Sequence, residues 1–395
     1  MELFVTLGDY ISTQKGFAFK SKWFVESGRE IVKVSDFTED SICPDNLVKI
    51  SDDLGEEYSR YSLSVGDVVI QTVGSWPSNP ASVVGKTIRV PKSVDSALLN
   101  QNAVKIIPSE ELSGGFLYYL LRNEAFKEFI IGTAQGAASQ ASITLDAIKR
   151  FKFLLPQFKA QVDIAEYLEN YDDLIENNNR RIAILEDMAQ SLYREWFVNF
   201  RYSGHQGNLD ADGSPKLIDS PLGQIPKGWE VKEFSTSFDF WNGKKCTKSD
   251  TGMFDLYGAN GIVGKAEDWK YENAVIIGRV GAYCGAVEYC FDKFWGSDNT
   301  IVAKCKSEKN ISYLFLLLEH FNLNKYAGGS AQPLLTQTTL KQLKYIAPPE
   351  DLVEQFELVV HKLFENVVNL KKRNQNLKQQ RDMLLPKLIS GQIEL

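Results

Sequence analysis

Two stretches of this chain carry apolar residues mainly at three- and four-residue steps for about 40 residues each, the period of a helix with one buried face. The first runs from Lys159 to Asn199, with Val162, Ile164, Leu168, Tyr171, Ile175, Ile182, Leu185, Met188, Leu192 and Trp196 on its stripe. The second runs from Leu352 to Ser390 through Phe356, Val359, Leu363, Val367, Leu370, Leu377, Leu384, Leu385 and Leu388. At 1.5 Å per residue each would be a rod of roughly 60 Å, and a single helix cannot bury such a stripe by itself. The pattern therefore predicts that the two pair with each other as a coiled coil. Asn178 and Asn374 interrupt the seams, either as buried polar residues that fix register or as residues turned to solvent. Pro386 should kink or end the second helix before Ser390-Gly391.

Elsewhere the apolar runs are short and the pattern is mixed α/β. Asp67 to Thr72 and Ala103 to Ile107 read as strands and Gly115 to Ile131 as an amphipathic helix. Val275 to Gly281, Thr300 to Ala303 and Ile311 to Phe321 repeat that order further on. The repeat is clearest just before each long helix, where Gly136 to Pro156 realigns without a gap on Gly328 to Pro348. Gly136, Gln140, Thr144, Ile148, Lys152 and Pro156 meet Gly328, Gln332, Thr336, Leu340, Lys344 and Pro348 at a constant offset of 192 residues. A duplicated unit followed each time by a long helix is the organisation this implies. The first unit carries an extra stretch around Glu30 to Leu63, so the globular parts have diverged while the repeated edge has not, which points to two different targets. The expected fold class is α+β. Its expected parts are one globular unit at 1–155, a helical region at 156–200, a Gly-, Pro- and Ser-rich linker at 201–227, a second unit at 228–347 and a second helical region at 348–395.

Composition narrows the classes. Of the 395 residues, 44% are hydrophobic and 24% charged, as in ordinary globular protein. The chain opens without a basic region and apolar core, and no apolar run approaches the roughly 18 residues of a membrane span, so no membrane partner and a cytoplasmic location are expected. Five cysteines without a C-x-x-C pair and three scattered histidines suit reduced thiols better than a metal site. Net charge is −7, against a nucleic-acid partner at first sight. Its distribution matters more. Ile70 to Val94 and Phe321 to Pro349 contain no acid, and carry Lys86, Arg89 and Lys92 in one and Lys325, Lys341 and Lys344 in the other. Catalytic motifs are missing: Gly278, Gly281 and Gly285 lack dinucleotide-loop spacing, and Gly85-Lys86-Thr87 has Pro80 where a phosphate loop needs its leading glycine. No Asp-Pro-Pro-Tyr or Asn-Pro-Pro-Tyr segment exists either. The chain is expected not to be an enzyme.

At the helix ends the residues carry a resemblance. The run from Leu185 to Phe200 (LEDMAQSLYREWFVNF), the ending Leu384 to Gly391 (LLPKLISG), the opening Gly223 to Trp229 (GQIPKGW) and the two G-x-x-x-Q edges are similar to the specificity (S) subunits of type I restriction-modification systems. That resemblance implies a non-catalytic, DNA-binding subunit of a restriction system with two target recognition domains. Each would read one half of an asymmetric bipartite site on double-stranded DNA. The two helices would form an antiparallel coiled coil that sets the spacing and docks two methyltransferase subunits, with up to two restriction subunits joining them. Adenine-N6 methylation with S-adenosylmethionine, and ATP- and magnesium-dependent cleavage, would belong to those partners, leaving no cofactor in this chain. A coiled-coil adapter for proteins and a stand-alone DNA-modifying enzyme are the rival classes, the latter without catalytic motifs.

The DNA-contact candidates lie on acid-free loops at corresponding places. They are Lys15, Lys20, Ser75, Trp76, Ser78, Asn79, Lys86 and Gln140 in the first unit, and Asn242, Lys244, Lys245, Lys248, Arg279, Tyr283, Lys325 and Gln332 in the second. Lysines would hold phosphates, while Asn, Gln and Arg can pair with base edges; the alternative for each is a solvated surface residue. Gln140 and Gln332 recur at one repeat position, which loop bracing or capping would explain equally well. The stripe Leu192, Tyr193, Trp196, Phe197 and Phe200 and its repeat counterpart Leu384, Leu385, Leu388 and Ile389 either dock a methyltransferase subunit or close the helix ends onto the globular units.

Overall fold

The computed structural model describes residues 4–77, 83–137, 140–210, 213, 215–307, 309–329 and 332–395. The chain forms two compact units, one of Met1–Glu176 together with Asn374–Leu395 and one of Asn177–Arg373.

In the first unit, Val68–Gln71 is buried at all four positions and lies inside an antiparallel sheet with Ala103–Pro108 on one side and Thr87–Arg89 on the other. Ile11–Lys15 completes that sheet beyond Ala103–Pro108. A second sheet, built from Phe24–Val25, Arg29–Val32, Val48–Ile50 and Leu98–Leu99, holds most of the stretch peculiar to this unit. The expected helix at Gly115 to Ile131 is two helices, Gly114–Arg122 and Glu124–Thr133. Asn123 separates them: its backbone is extended (φ −63°, ψ 143°), and its side chain accepts from the Ala125 amide to cap the second helix. The apolar stripe continues across this break, which is why periodicity alone does not reveal it.

The second unit repeats the plan. Phe238–Asn242, Thr300–Cys305, Ala274–Gly278 and Val287–Cys290 form a sheet in the same order as the first unit's, and Ile311–Phe321 is the expected helix. Terminal strands pair alike in both, Phe4–Thr6 with Lys152–Leu154 and Glu230–Glu233 with Lys344–Ala347. Residues 201–227 carry a hairpin, Leu217–Ser220 with Gly223–Pro226, from which Ile225 enters the second unit's core.

The two long helices are Phe158–Tyr193, followed by a π turn at Arg194–Val198, and Glu350–Ile389. Pro386 lies inside the second, which runs one turn further and stops before Ser390. Within each unit the helices run antiparallel. In the first, Leu168 joins Leu385 and Leu388 in one core and Asp172 pairs with Arg381. In the second, Tyr193 packs on Phe356 while Ile182 meets Val367 and Leu370. The seam differs from expectation in both helices: in the first Ala189 is buried and Met188 exposed, and in the second Val360 and Phe364 are buried and Val359 is half exposed. Val360 stands four residues from both Phe356 and Phe364, so it shares their face and Val359 does not. Asn374 is buried and Asn178 partly so. Arg381, at 2% exposure, occupies the seam seven residues beyond Asn374.

Candidate nucleic-acid interface

Each unit leaves one end of its main sheet open, and the same backbone bonds shape both ends. In the first unit Lys15 and Gln71 flank the start of Ala103–Pro108, opposite Val104 and Ala103. The chain then turns away at Gly16, whose amide donates to Ala103 O at 3.0 Å. Glycine is required there, because a Cβ would lie 1.9 Å from Asn100 O. Thr72 donates its amide to Asn102 O (2.8 Å) and accepts at its carbonyl from Ile143 (2.9 Å). These turns enclose a cleft of about 580 Å³ lined by Lys15, Thr72, Gln101, Asn102, Thr144 and Asp146, among others.

The second unit reproduces the frame. Gly243 donates to Thr300 O (3.0 Å), Arg279 donates to Asn299 O (2.9 Å), and Leu335 donates to Arg279 O (2.9 Å). Arg279 therefore stands where Thr72 stands, and Asn242 where Lys15 stands. Frame and lining are separable: the backbone bonds are shared and the side chains are not.

The repeated edge is the part that ties this end together. Thr144 and Thr336 each cap a short helix, Leu145–Lys149 and Gln337–Gln342, accepting from Ala147 and Thr339 at 3.1 Å. The residue just before each threonine makes the bond to Thr72 or Arg279. Gln140 and Gln332 are exposed, and their carbonyls close on glycines with positive φ. A Cβ on Gly136 would lie 2.0 Å from Gln140 O, and one on Gly329 2.7 Å from Gln332 O. The gapless alignment hides a one-residue change here, since Gln135 pairs with Ser142 but Gly328 pairs with Leu334.

The remaining candidates fall into groups. Lys15 lines the first cleft. Lys20 stands over the Trp23 ring, 5.5 Å from its centroid. Ser75 bridges Val83, and Trp76 packs against the first unit's core. Ser78 and Asn79 lie outside the described residues. Lys86 lines a different cleft, of about 390 Å³, with Arg122, Arg381 and Glu39, where burial lowers its pKa against the opposing pull of Glu39. In the second unit Asn242, Lys244, Lys245, Lys248, Tyr283 and Lys325 are exposed. Trp295 Nε1 donates to Lys244 O at 2.8 Å and so fixes that loop. Thr72, Gln101, Asn102 and Asn299 are missing from the sequence candidates; the signal available for them is their place beside Gly16, Gly243 and the repeated edge.

The helix-end residues pack into their own units, with Leu192, Trp196, Phe200 and Leu384 left partly exposed. Tyr193 and Phe197 are buried in the second unit's core with Leu192, Trp196 and Phe200 against it, and Leu385, Leu388 and Ile389 are buried in the first with Leu384 against them. Tyr193 sits 5.3 Å from Phe197, ring to ring, and both rings contact Phe356. On the same helices Leu174, Ile184, Leu358 and Met383 are exposed by half or more. Among the described residues no His, Cys, Asp and Glu side chains gather as metal ligands would, all five cysteines are free, and no helix is long and apolar enough to cross a membrane.

Comparison with known proteins adds identity to this geometry. Residues 2–187 and 226–379 match the family described as type I restriction modification DNA specificity domain. The specificity subunit of the type I restriction enzyme MjaIX from Methanocaldococcus jannaschii is 25% identical over 327 residues, 75% of this chain and 73% of that one. That of HindI from Haemophilus influenzae is 22% identical over 419 residues, 85% of this chain and 88% of that one. The crystal structure of a type I restriction-modification S subunit from M. genitalium superposes with a TM-score of 0.59 at 16% identity, covering 98% of this chain and 96% of that one.

Proposed function

The chain belongs to the family of the type I restriction modification DNA specificity domain, and from that premise we propose that its two units read two unlike halves of one bipartite DNA site. It is a specificity subunit, which binds DNA and assembles with methyltransferase and restriction subunits that carry the catalytic activities. The observation that carries the proposal is the pair of open sheet ends with one backbone frame and different linings, Lys15 and Thr72 in one and Asn242 and Arg279 in the other. A shared frame presents side chains to DNA alike, and unlike side chains select unlike bases. Lysines of both units, Lys244, Lys245 and Lys248 among them, supply phosphate contacts, and the remaining DNA-contact candidates supply the rest of the interface.

The two long helices set the gap between the half-sites. They also present the docking surface for two methyltransferase subunits, with up to two restriction subunits in the full complex. Since Tyr193, Phe197, Leu385 and Leu388 are buried in their own units, docking uses the outward helix faces, and the buried residues hold those faces in place. S-adenosylmethionine, ATP and magnesium act in the partners. The experiment is methylome sequencing of a host that carries this chain and its methyltransferase partner. The proposal expects one asymmetric motif with two specified halves around unread bases; a continuous motif or a perfect palindrome contradicts it.

A further inference from the structure

We propose that Arg279 reads a guanine in the half-site of the second unit, an assignment that rests on the function proposed above and makes it specific to one side chain. Residues 228–347 contain no other arginine. Its backbone is held from three directions: the amide donates to Asn299 O at 2.9 Å, and the carbonyl accepts from the Leu335 amide at 2.9 Å and the Cys284 thiol at 3.2 Å. Gly278, just before it, packs so closely that a Cβ would lie 2.2 Å from Tyr283 O and 2.7 Å from Ala259 O. The turn that carries Arg279 is thus fixed before any ligand arrives.

The side chain is left incomplete. Arg279 is partly exposed, yet its Nε is buried with no hydrogen-bond partner, and no carboxylate pairs with it among the described residues. Arginines of the first unit are engaged, Arg29 with Glu56, Arg89 with Glu169 and Arg122 with the Tyr118 hydroxyl. A desolvated donor without an acceptor costs stability, and since Arg279 as a whole is partly exposed, the accessible part of the side chain is where an acceptor from outside would meet it. The stretch Phe321 to Pro349, which includes the Leu335 that binds Arg279, contains no acid to serve.

Two acceptor sets on DNA suit a guanidinium fork, a phosphate and the O6/N7 edge of guanine. The first unit decides between them. The position with the same two backbone bonds holds Thr72, which lines the cleft. A phosphate clamp common to both units would keep a cation at both places. A residue that changes while its frame stays constant is one that distinguishes the two half-sites.

The test uses the chain in complex with its methyltransferase partner, comparing wild type with Arg279→Ala, Arg279→Thr and Arg279→Lys by methylome sequencing and duplex binding. One guanine of the second half-site should become degenerate in the Ala and Thr variants. Affinity for the wild-type site should fall by about 5- to 150-fold, and the first half-site and the gap should stay as they are. Arg279→Lys keeps charge and stem, and should bind with reduced guanine preference, which keeps the assignment testable if the smaller variants fold poorly. An unchanged second half-site overturns it. So does equal weakening on all duplexes with a shallower salt dependence, the behaviour of a phosphate contact. If wild type itself yields no bipartite motif, the functional proposal fails with it; a bipartite motif indifferent to Arg279 overturns this assignment alone.

Discussion

Arg381 shows what a charged residue does on an apolar seam. Burial works to lower its pKa, but Asp172 and Asp382 outweigh that and raise it, so the guanidinium stays charged. Asp172 also accepts from the Tyr119 hydroxyl at 2.7 Å, which ties one long helix to the other and to the helix Gly114–Arg122. Removing one partner of such a pair strands the other, so Arg381→Ala should destabilise the first unit by about 3–5 kcal/mol in denaturant unfolding; a loss under about 1 kcal/mol contradicts the pairing. Cys290 gives a pH dependence confined to the second unit. Burial raises its pKa to about 11, against the Tyr257 hydrogen bond that lowers it, from an ordinary value of about 8.5. A raised folded-state pKa means a contribution intact below about pH 8.5 and lost as pH climbs toward about 11, amounting to about 3 kcal/mol at the end. Cys290→Ser should therefore flatten the decline of stability above about pH 8.5, and an unchanged slope would refute the account of this thiol. The sequence made Arg381 hard to see because charge usually marks the solvent face. Its spacing of seven from Asn374 was the available clue.

At the scale of elements, the caps of the repeated edge do a definable job. Thr144 and Thr336 start the helices whose preceding residues, Ile143 and Leu335, bond to the sheet ends. Thr144→Ala should cost about 1 kcal/mol locally and speed amide exchange at Ile143 about five-fold, leaving Leu335 unaffected; Thr336→Ala should do the reverse. Equal effects at both amides would mean that the edges are not independent. Periodicity made the long helices legible to within a few residues at most ends, and short apolar runs located the central strands. It missed the division at Asn123 because Phe126 and Ile130 are buried like Leu120 and Leu121 before it. The open sheet ends were legible only in part. Their linings join residues far apart in sequence, such as Lys15, Thr72, Asn102 and Thr144, and composition cannot assemble those. Lys86, a DNA-contact candidate for its place on an acid-free loop, lines a second cleft with Arg122 and Arg381 and not the one with Lys15 and Thr72.

At the scale of the molecule, each long helix begins in one compact unit and ends in the other, since the division falls at Glu176 and Asn374. Such helices suit a ruler. Four residues inserted near Asn178 and four near Asn374, keeping the apolar faces paired, add about 6 Å to each helix. The lengthened protein, with its partners, should methylate the same two half-sites across a gap one or two base pairs longer, at about 3.4 Å per pair. Full methylation at the original gap would assign the spacing to the methyltransferase subunits instead. The central claim, that two readers act independently on one frame, has a more direct test: replace residues 228–347 with the corresponding unit of a relative and sequence the methylome of a host carrying the chimera and its partners. The account predicts a new second half-site, the original first half-site and the original gap. A change in both half-sites would contradict it.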